Sequence, residues 1–165
     1  MELRELYIDE EELEFPGVEA LSLVRYPAIE ANFVFFNKQF ALAKLDEERR
    51  MLVGPALIPE KKIYRQDPDG SGYEVYFTAD TVKKAAHLFM RNSKMNAATV
   101  EHEVKTDQVH VYESWVVENV KKDKQQVYGM KYPKGTWMVS MRVDSDELWQ
   151  GIKDGSLRGI SIEGY

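Results

Sequence analysis

The sequence contains no cysteine among its 165 residues. Its absence excludes disulfides, thiolate nucleophiles and thiolate zinc sites, and it fits a reducing cytosol. Histidine is scarce as well, with three residues in the chain. Any nucleophilic chemistry must therefore come from Ser, Thr, Lys or a carboxylate, with few histidines available as its base.

Long apolar runs are also missing. No stretch approaches the roughly 20 apolar residues that a membrane-spanning helix needs. The first residues, MELRELYIDEEELEF, are acidic, whereas a signal peptide begins with basic residues. The sequence therefore predicts neither a signal peptide nor a membrane anchor.

Basic residues are outnumbered by acidic ones, which gives a formal net charge of −6 at pH 7. A duplex nucleic-acid binder needs a basic face to neutralise phosphates, so nucleic acid is not expected as a partner. The chain has no HExxH motif and no glycine-rich phosphate loop, and DPDGSG at 67–72 lacks the downstream Glu of a calcium loop. We predict no metal and no cofactor.

The residues that are present indicate a globular protein, with 44% hydrophobic and 30% charged residues. We predict an N-terminal arm or small lobe over 1–50 and one mainly β domain over 51–165. The expected elements are a hairpin around 67–72, strands at 98–104, 109–119, 125–132, 136–143 and around Ser161, and helices after Thr78 and over 144–155. This pattern is typical of an α+β fold with a β-barrel.

His102 is the histidine with the most suggestive surroundings. In ATVEHEV at 98–104, strand alternation places His102 on the same face as Val100, towards the interior or the wall of a cleft. A partly buried histidine flanked by acids suits a general base near neutral pH, although alternation alone favours a structural histidine. His87 and His110 are expected to be exposed.

Two further residues attract attention. Glu113 stands in an apolar row of its strand, so it needs a partner, either an imidazole that it orients or a structural Lys or Arg. Ser161 lies between two isoleucines in GISIEG, and the flanking glycines leave the backbone around it open. The spacing is not that of the Gly-x-Ser-x-Gly nucleophile elbow, and a plain strand serine is the default interpretation.

From about residue 17, the ordered segments of the chain resemble one family. They are GVEALSLVRYPAIEANFVFF, VGPALIPEKKIYR, YEVYFTADTV, TVEHE, VYESWVVEN, YPKGTWMVSMRV and LWQGIKDGSLRGISIEGY. In this order they are similar to the XkdF-type phage serine proteases, relatives of the prohead proteases and of the herpesvirus maturation proteases.

The resemblance implies a herpesvirus-protease-like β-barrel that carries a Ser-His pair, with His102 as base and Ser161 as nucleophile. In the herpesvirus relatives the third catalytic residue follows the serine, and this chain stops four residues after Ser161. We therefore expect a barrel truncated after the nucleophile strand. Glu113 is the candidate third residue, and Glu103 and Glu163 are its competitors.

The function implied is that of a prohead maturation serine endopeptidase. Such an enzyme cleaves phage scaffold and major capsid proteins, and often itself, inside the assembling procapsid in the host bacterial cytoplasm. Assembly into an oligomer is compatible with this role. The alternative is a catalytically silent phage structural domain of the same fold that binds capsid or scaffold partners. A third hypothesis, an oligonucleotide-binding barrel, fits poorly with the acidic charge.

Overall fold

A computed structural model of the chain describes residues 1–11, 16–31, 33–35 and 49–164. The strands are β1 Glu2–Leu6, β2 Val18–Val24, β3 Val34–Phe35, β4 Met51–Leu57, β5 Ile63–Gln66, β6 Gly72–Phe77, β7 Ala98–Val100, β8 Val104–Thr106, β9 Val109–Val116, β10 Trp137–Val143 and β11 Gly159–Gly164. The helices are α1 Ala79–Arg91 and α2 Asp146–Lys153, with short 3₁₀ segments at Lys94–Asn96 and Lys124–Tyr128.

The strands form three sheets, with the orders β1-β6-β5, β3-β4-β10-β9 and β11-β2-β7-β8. The mainly β, α+β class that the sequence predicts is thereby confirmed. Each sheet is open in the described ranges, so the barrel is not confirmed there. No helix in the described residues is long and apolar enough to cross a membrane.

Strands from the predicted N-terminal arm contribute to all three sheets. β1 pairs in parallel with β6, and β3 pairs antiparallel with β4. β2 lies inside the third sheet, antiparallel to β11 on one side and parallel to β7 on the other. Residues 1–50 therefore supply the strand that lies between β11 and β7 in the third sheet.

The main core lies between the second and third sheets and α1. Its largest fully buried side chains include Trp137, Phe89 and Leu21, and the rings of Phe89 and Trp137 meet edge to face at 5.3 Å. α1 contributes an apolar stripe because its buried residues recur at helical spacing. The Thr78 side chain caps this helix by accepting a hydrogen bond from the Thr81 amide, as the sequence predicts.

The predicted hairpin is confirmed, since β5 and β6 pair antiparallel around the turn at 67–72. The short helix α2 is confirmed too, with Ser145 as its N-cap. The predicted strand at 125–132 is wrong. That segment begins with a 3₁₀ turn, because Asp123 caps it and the buried Gln125 amide bridges the backbone N–H and C=O of Tyr132.

A substitution at Gly159 tests how closely the start of β11 packs against Pro27. A Cβ here would overlap the ring of the buried Pro27, whereas a Cβ at Gly151 in α2 would stand 3.5 Å from Leu157. We expect Gly159→Ala to lower the free energy of unfolding by about 1–3 kcal/mol through overpacking. Gly151→Ala should be neutral or raise it by up to about 1 kcal/mol, since alanine favours a helix. Urea denaturation of both variants measures the difference, and equal stabilities would contradict this packing.

Candidate active site

His102 lies in a tight turn rather than in a strand. β7 ends at Val100, β8 begins at Val104, and the Glu103 amide donates to the Val100 carbonyl at 3.0 Å. The strand predicted over 98–104 is therefore confirmed at Ala98–Val100 and wrong at residues 101–103, where the chain turns. Glu101 and His102 have φ values of 52° and 58°, in the left-handed region. They are the two central residues of this turn, within a three-residue connection between the paired Val100 and Val104. Asn and Gly favour these positions, and other residues are strained there by about 1–3 kcal/mol each.

β2 and the residue that follows it hold this turn with three hydrogen bonds. The Glu101 amide donates to the Leu23 carbonyl at 2.9 Å, and the His102 amide donates to Ser22 Oγ at 3.0 Å. The Arg25 amide in turn donates to Glu101 Oε1 at 2.5 Å. Because the backbone and a side chain of one strand hold both central residues, the strained turn is fixed relative to the sheet.

One face of the third sheet carries a row of hydroxyl side chains. Ser161 in β11 is paired with Ser22 in β2, and Ser22 is paired with Thr99 in β7. Paired residues share a face of the sheet, so these three side chains lie side by side. Their chain neighbours Leu21 and Ile160 are buried in the core on the opposite face. Ser22 and Thr99 are buried as well, and Ser161 is partly exposed.

Glu163 joins this face because it follows Ser161 by two residues in the same strand. Its Oε1 lies 2.9 Å from His102 Nδ1, and the same oxygen accepts a hydrogen bond from Thr99 Oγ1. The exposed fractions of the His102 and Glu163 side chains are 42% and 29%. The structure therefore brings His102, Glu163 and Ser161 to one solvent-accessible face.

The orientation of the imidazole determines what this cluster can do. With Nδ1–H donating to the Glu163 carboxylate, a neutral His102 keeps the lone pair of Nε2 available as a base. In the described part of the chain, neither Nε2 nor Ser161 Oγ makes a hydrogen bond. Such contacts are often long before substrate binds. The arrangement is suited to removing a proton from a hydroxyl on the same face.

Glu113 lies elsewhere. It belongs to β9 in the second sheet and pairs with Lys124 Nζ, which also lies 5.2 Å from the centre of the Trp115 ring. Within the described ranges Glu113 makes no ion pair or hydrogen bond with His102. This is the structural lysine partner that the sequence left open as the alternative. Of the three carboxylates considered, Glu163 is the one that contacts the imidazole.

The other histidines stand apart from this face. His87 is exposed on α1, as predicted, and His110 Nδ1 lies 3.8 Å from Asp144 Oδ2. Among the described residues, no group of three His, Asp or Glu side chains is arranged to hold a metal ion.

The turn that leads into β11 is ordered by a carboxylate. Asp154 accepts hydrogen bonds from the Ser156 amide at 2.8 Å and from Ser156 Oγ at 2.5 Å. These hydrogen bonds favour the ionised form and lower the pKa of Asp154 below its usual value. β11 begins at Gly159, and Ser161 lies on the same face of the sheet as Ser22.

An apolar cavity of about 160 Å³ lies on the other side of β11. Ile162 lines it together with Val18, Leu57 and Phe77. Because Ile162 alternates with Ser161 and Glu163, this cavity is separated from the hydroxyl row by the strand itself. A substrate that reaches Ser161 would have to approach from the polar face.

Ser22 and Thr99 belong to this face but are not predicted from the sequence. A weak signal was present for Ser22, since it interrupts the apolar run of VEALSLV. No local pattern could have placed either residue beside His102, because the partner strands are distant in the chain: Ser22 and His102 are separated by 80 positions.

Comparison of the sequence with known proteins identifies the family of this chain. The profile of the family described as "Putative phage serine protease XkdF" matches residues 39–165, which is more than half of the chain. The chain belongs to this family. The matched range contains His102, Ser161 and Glu163, whereas Ser22 lies before it.

Two curated relatives come from Bacillus subtilis (strain 168). The phage-like element PBSX protein XkdF is 26% identical over 156 residues, which cover 93% of this chain and 54% of the relative. The uncharacterized protein YqbD is 27% identical over 123 residues, 74% of this chain and 34% of that relative. The chain thus spans about half of the first relative and about a third of the second. No solved structure matches the chain.

Ser22 and Ser161 form a matched pair for testing how the turn is held. Ser22→Ala leaves the His102 amide without its acceptor, so we expect the free energy of unfolding to fall by about 1–3 kcal/mol. Ser161→Ala removes a hydroxyl that makes no hydrogen bond in the described residues, and should change it by no more than about 0.5 kcal/mol. Chemical denaturation of both variants gives the comparison. An equal loss in the two would mean that the Ser22–His102 bond does not stabilise the fold.

Proposed function

We propose that this chain provides the catalytic site of a serine endopeptidase, with Ser161 as nucleophile, His102 as base and Glu163 as the carboxylate that orients the base. The observation that carries the proposal is the 2.9 Å contact between His102 Nδ1 and Glu163 Oε1 on the sheet face that bears Ser161. Membership of a family described as phage serine proteases supports the same reaction class.

The reaction follows from these positions. His102 Nε2 takes the proton of Ser161 Oγ, and the oxygen attacks a peptide carbonyl carbon to form a tetrahedral intermediate. The protonated imidazole then donates its proton to the leaving amine as the peptide C–N bond breaks. Water hydrolyses the resulting acyl-enzyme with His102 again as base. Throughout, Glu163 holds Nδ1–H and stabilises the imidazolium.

The substrates that we propose are phage scaffold and major capsid proteins, cleaved inside the assembling procapsid in the bacterial cytoplasm. This follows from the resemblance to prohead proteases and is consistent with a relative named for a phage-like element. Self-cleavage and assembly into an oligomer belong to the same proposal. The herpesvirus-protease-like barrel belongs to the same proposal. Ser161 and Glu163 lie in β11 of the third sheet, and His102 lies in the turn between β7 and β8 of that sheet.

The second candidate is a catalytically silent phage structural domain that binds capsid or scaffold partners. One observation favours it: no hydrogen bond joins Ser161 Oγ to His102 in the described part of the chain. The two candidates differ in the reactivity of Ser161. An activated serine reacts with a fluorophosphonate, whereas an ordinary strand serine does not.

We expect a fluorophosphonate to label the folded protein at Ser161 and to leave Ser161→Ala unlabelled. Trypsin cleavage after Arg158 releases residues 159–165, in which Ser161 is the only serine, so mass spectrometry assigns the site directly. His102→Asn should lower the labelling rate on the order of 10³-fold or more, because the base is lost. Asn tolerates the left-handed turn, so this variant should remain folded.

Circular dichroism and thermal unfolding serve as the controls for these variants. A folded wild-type chain that is not labelled would favour the silent structural domain. Labelling that persists in Ser161→Ala would exclude Ser161 as the nucleophile.

Glu163→Gln and Glu113→Gln distinguish the two candidate carboxylates. Both substitutions replace a carboxylate by an amide of similar size, in different sheets. We expect Glu163→Gln to reduce peptide cleavage on the order of 10³–10⁴-fold, since the orienting carboxylate is lost. Glu113→Gln should leave cleavage unchanged and affect only the exposed pair with Lys124. Rates on a co-expressed scaffold protein give the measurement, and the opposite ranking would return the role to Glu113.

A further inference from the structure

Glu163 Oε1 receives two hydrogen bonds from two different elements. One comes from His102 Nδ1 in the turn after β7, and the other comes from Thr99 Oγ1 within β7 itself. Thr99 is buried, with 6% of its surface exposed, while the Glu163 side chain is 29% exposed. A buried hydroxyl thus anchors a carboxylate that is otherwise open to solvent.

Thr99 is well suited to this role because of its place in the sheet. Its backbone pairs with Ser22 on one side and Lys105 on the other, so β7 is fixed by both neighbours. A β-branched side chain has a restricted χ1, whereas a glutamate rotates about several bonds. The rigid Thr99 side chain therefore restricts the conformation of the flexible Glu163 side chain.

We propose that Thr99 is a positioning residue for the imidazole. Its hydroxyl holds Glu163 in the conformation in which Oε1 accepts the Nδ1–H of His102, and this hydrogen bond keeps the proton on Nδ1 and leaves Nε2 as the base. The catalytic consequence rests on the function proposed above. The effect on the imidazole does not, because it depends only on the contacts among these three side chains.

The strength of the arrangement comes from charge. A hydrogen bond to a carboxylate is roughly twice as strong as a bond between neutral groups. At metal sites, outer residues that orient a ligand through a hydrogen bond typically contribute 10–100-fold to activity or affinity, and we expect the same order of effect for an oriented imidazole. A loss of that size is therefore the effect expected when the Thr99 hydroxyl is removed.

The decisive comparison is between Thr99→Val, which keeps the shape and loses the hydroxyl, and Thr99→Ser, which keeps the hydroxyl and loses a methyl group. In ¹⁵N-histidine-labelled protein, NMR shifts report which ring nitrogen carries the proton, and His102→Asn identifies the His102 signals. We expect the Nδ1–H tautomer in the wild type and in Thr99→Ser. In Thr99→Val the signals should move towards the Nε2–H tautomer, as in Glu163→Gln.

Fluorophosphonate labelling gives the catalytic part of the test. Thr99→Val should react about 10–100-fold more slowly than the wild type, and Thr99→Ser should react at close to the wild-type rate. If Thr99→Val keeps both the tautomer and the rate, Thr99 has no positioning role. If Thr99→Val fails to fold, Thr99→Ala replaces it in the same comparison with Thr99→Ser.

Failure of this inference is distinguishable from failure of the proposed function. A wild-type protein that is folded but never labelled contradicts the protease proposal, while the NMR comparison still decides whether Thr99 fixes the imidazole. Conversely, a labelled wild type whose tautomer is unchanged in Thr99→Val supports the protease and overturns the role of Thr99.

Discussion

The hydrogen bond between His102 and Glu163 is the interaction on which the candidate site depends. Its partners are 61 positions apart in the chain. Glu163 lies in β11, whereas His102 lies in the turn after β7, and these two strands are not neighbours in the sheet. The two side chains meet because β2 is inserted between β11 and β7 and sets the register of both. β2, which belongs to the segment predicted to be an arm or small lobe, is one of the two inner strands of the sheet that carries the site. Its Ser22 accepts a hydrogen bond from the His102 amide.

The turn illustrates how local strain is tolerated at a functional position. Two consecutive residues with side chains adopt left-handed backbone angles, which disfavours the turn by about 1–3 kcal/mol per residue. Three hydrogen bonds to β2 and its following loop compensate, each with a net value of about 0.5–1.5 kcal/mol and more where a carboxylate accepts. In this turn the imidazole lies against the sheet face, where its Nδ1 contacts Glu163.

The sequence predicted the parts of the site that depend on local pattern. The sequence separates Ser161 from its two isoleucine neighbours in GISIEG and names Glu163 as a competitor for the third catalytic residue; in β11 both Ser161 and Glu163 lie on one face. Alternation failed for His102, because Glu101 and His102 occupy turn positions that no glycine, asparagine or proline signals. It failed again at 125–132, where a buried glutamine amide replaces strand pairing. Ser22 and Thr99 were missed because their role depends on sheet order, which short-range periodicity does not contain.

The carboxylate and the hydroxyl belong to the same strand, and this has a geometric consequence. Residues two apart in a strand are separated by roughly 6.6 Å along the backbone. In the proposed mechanism one imidazole spans this gap with hydrogen bonds of about 2.7–3.2 Å. Once β11 is paired with β2, the backbone spacing between Ser161 and Glu163 is set by the strand itself. A register slip of one residue would turn Ser161 and Glu163 together into the core. The packing of Gly159 against Pro27, which fixes the start of β11, is for this reason a constraint on the chemistry as well as on the fold.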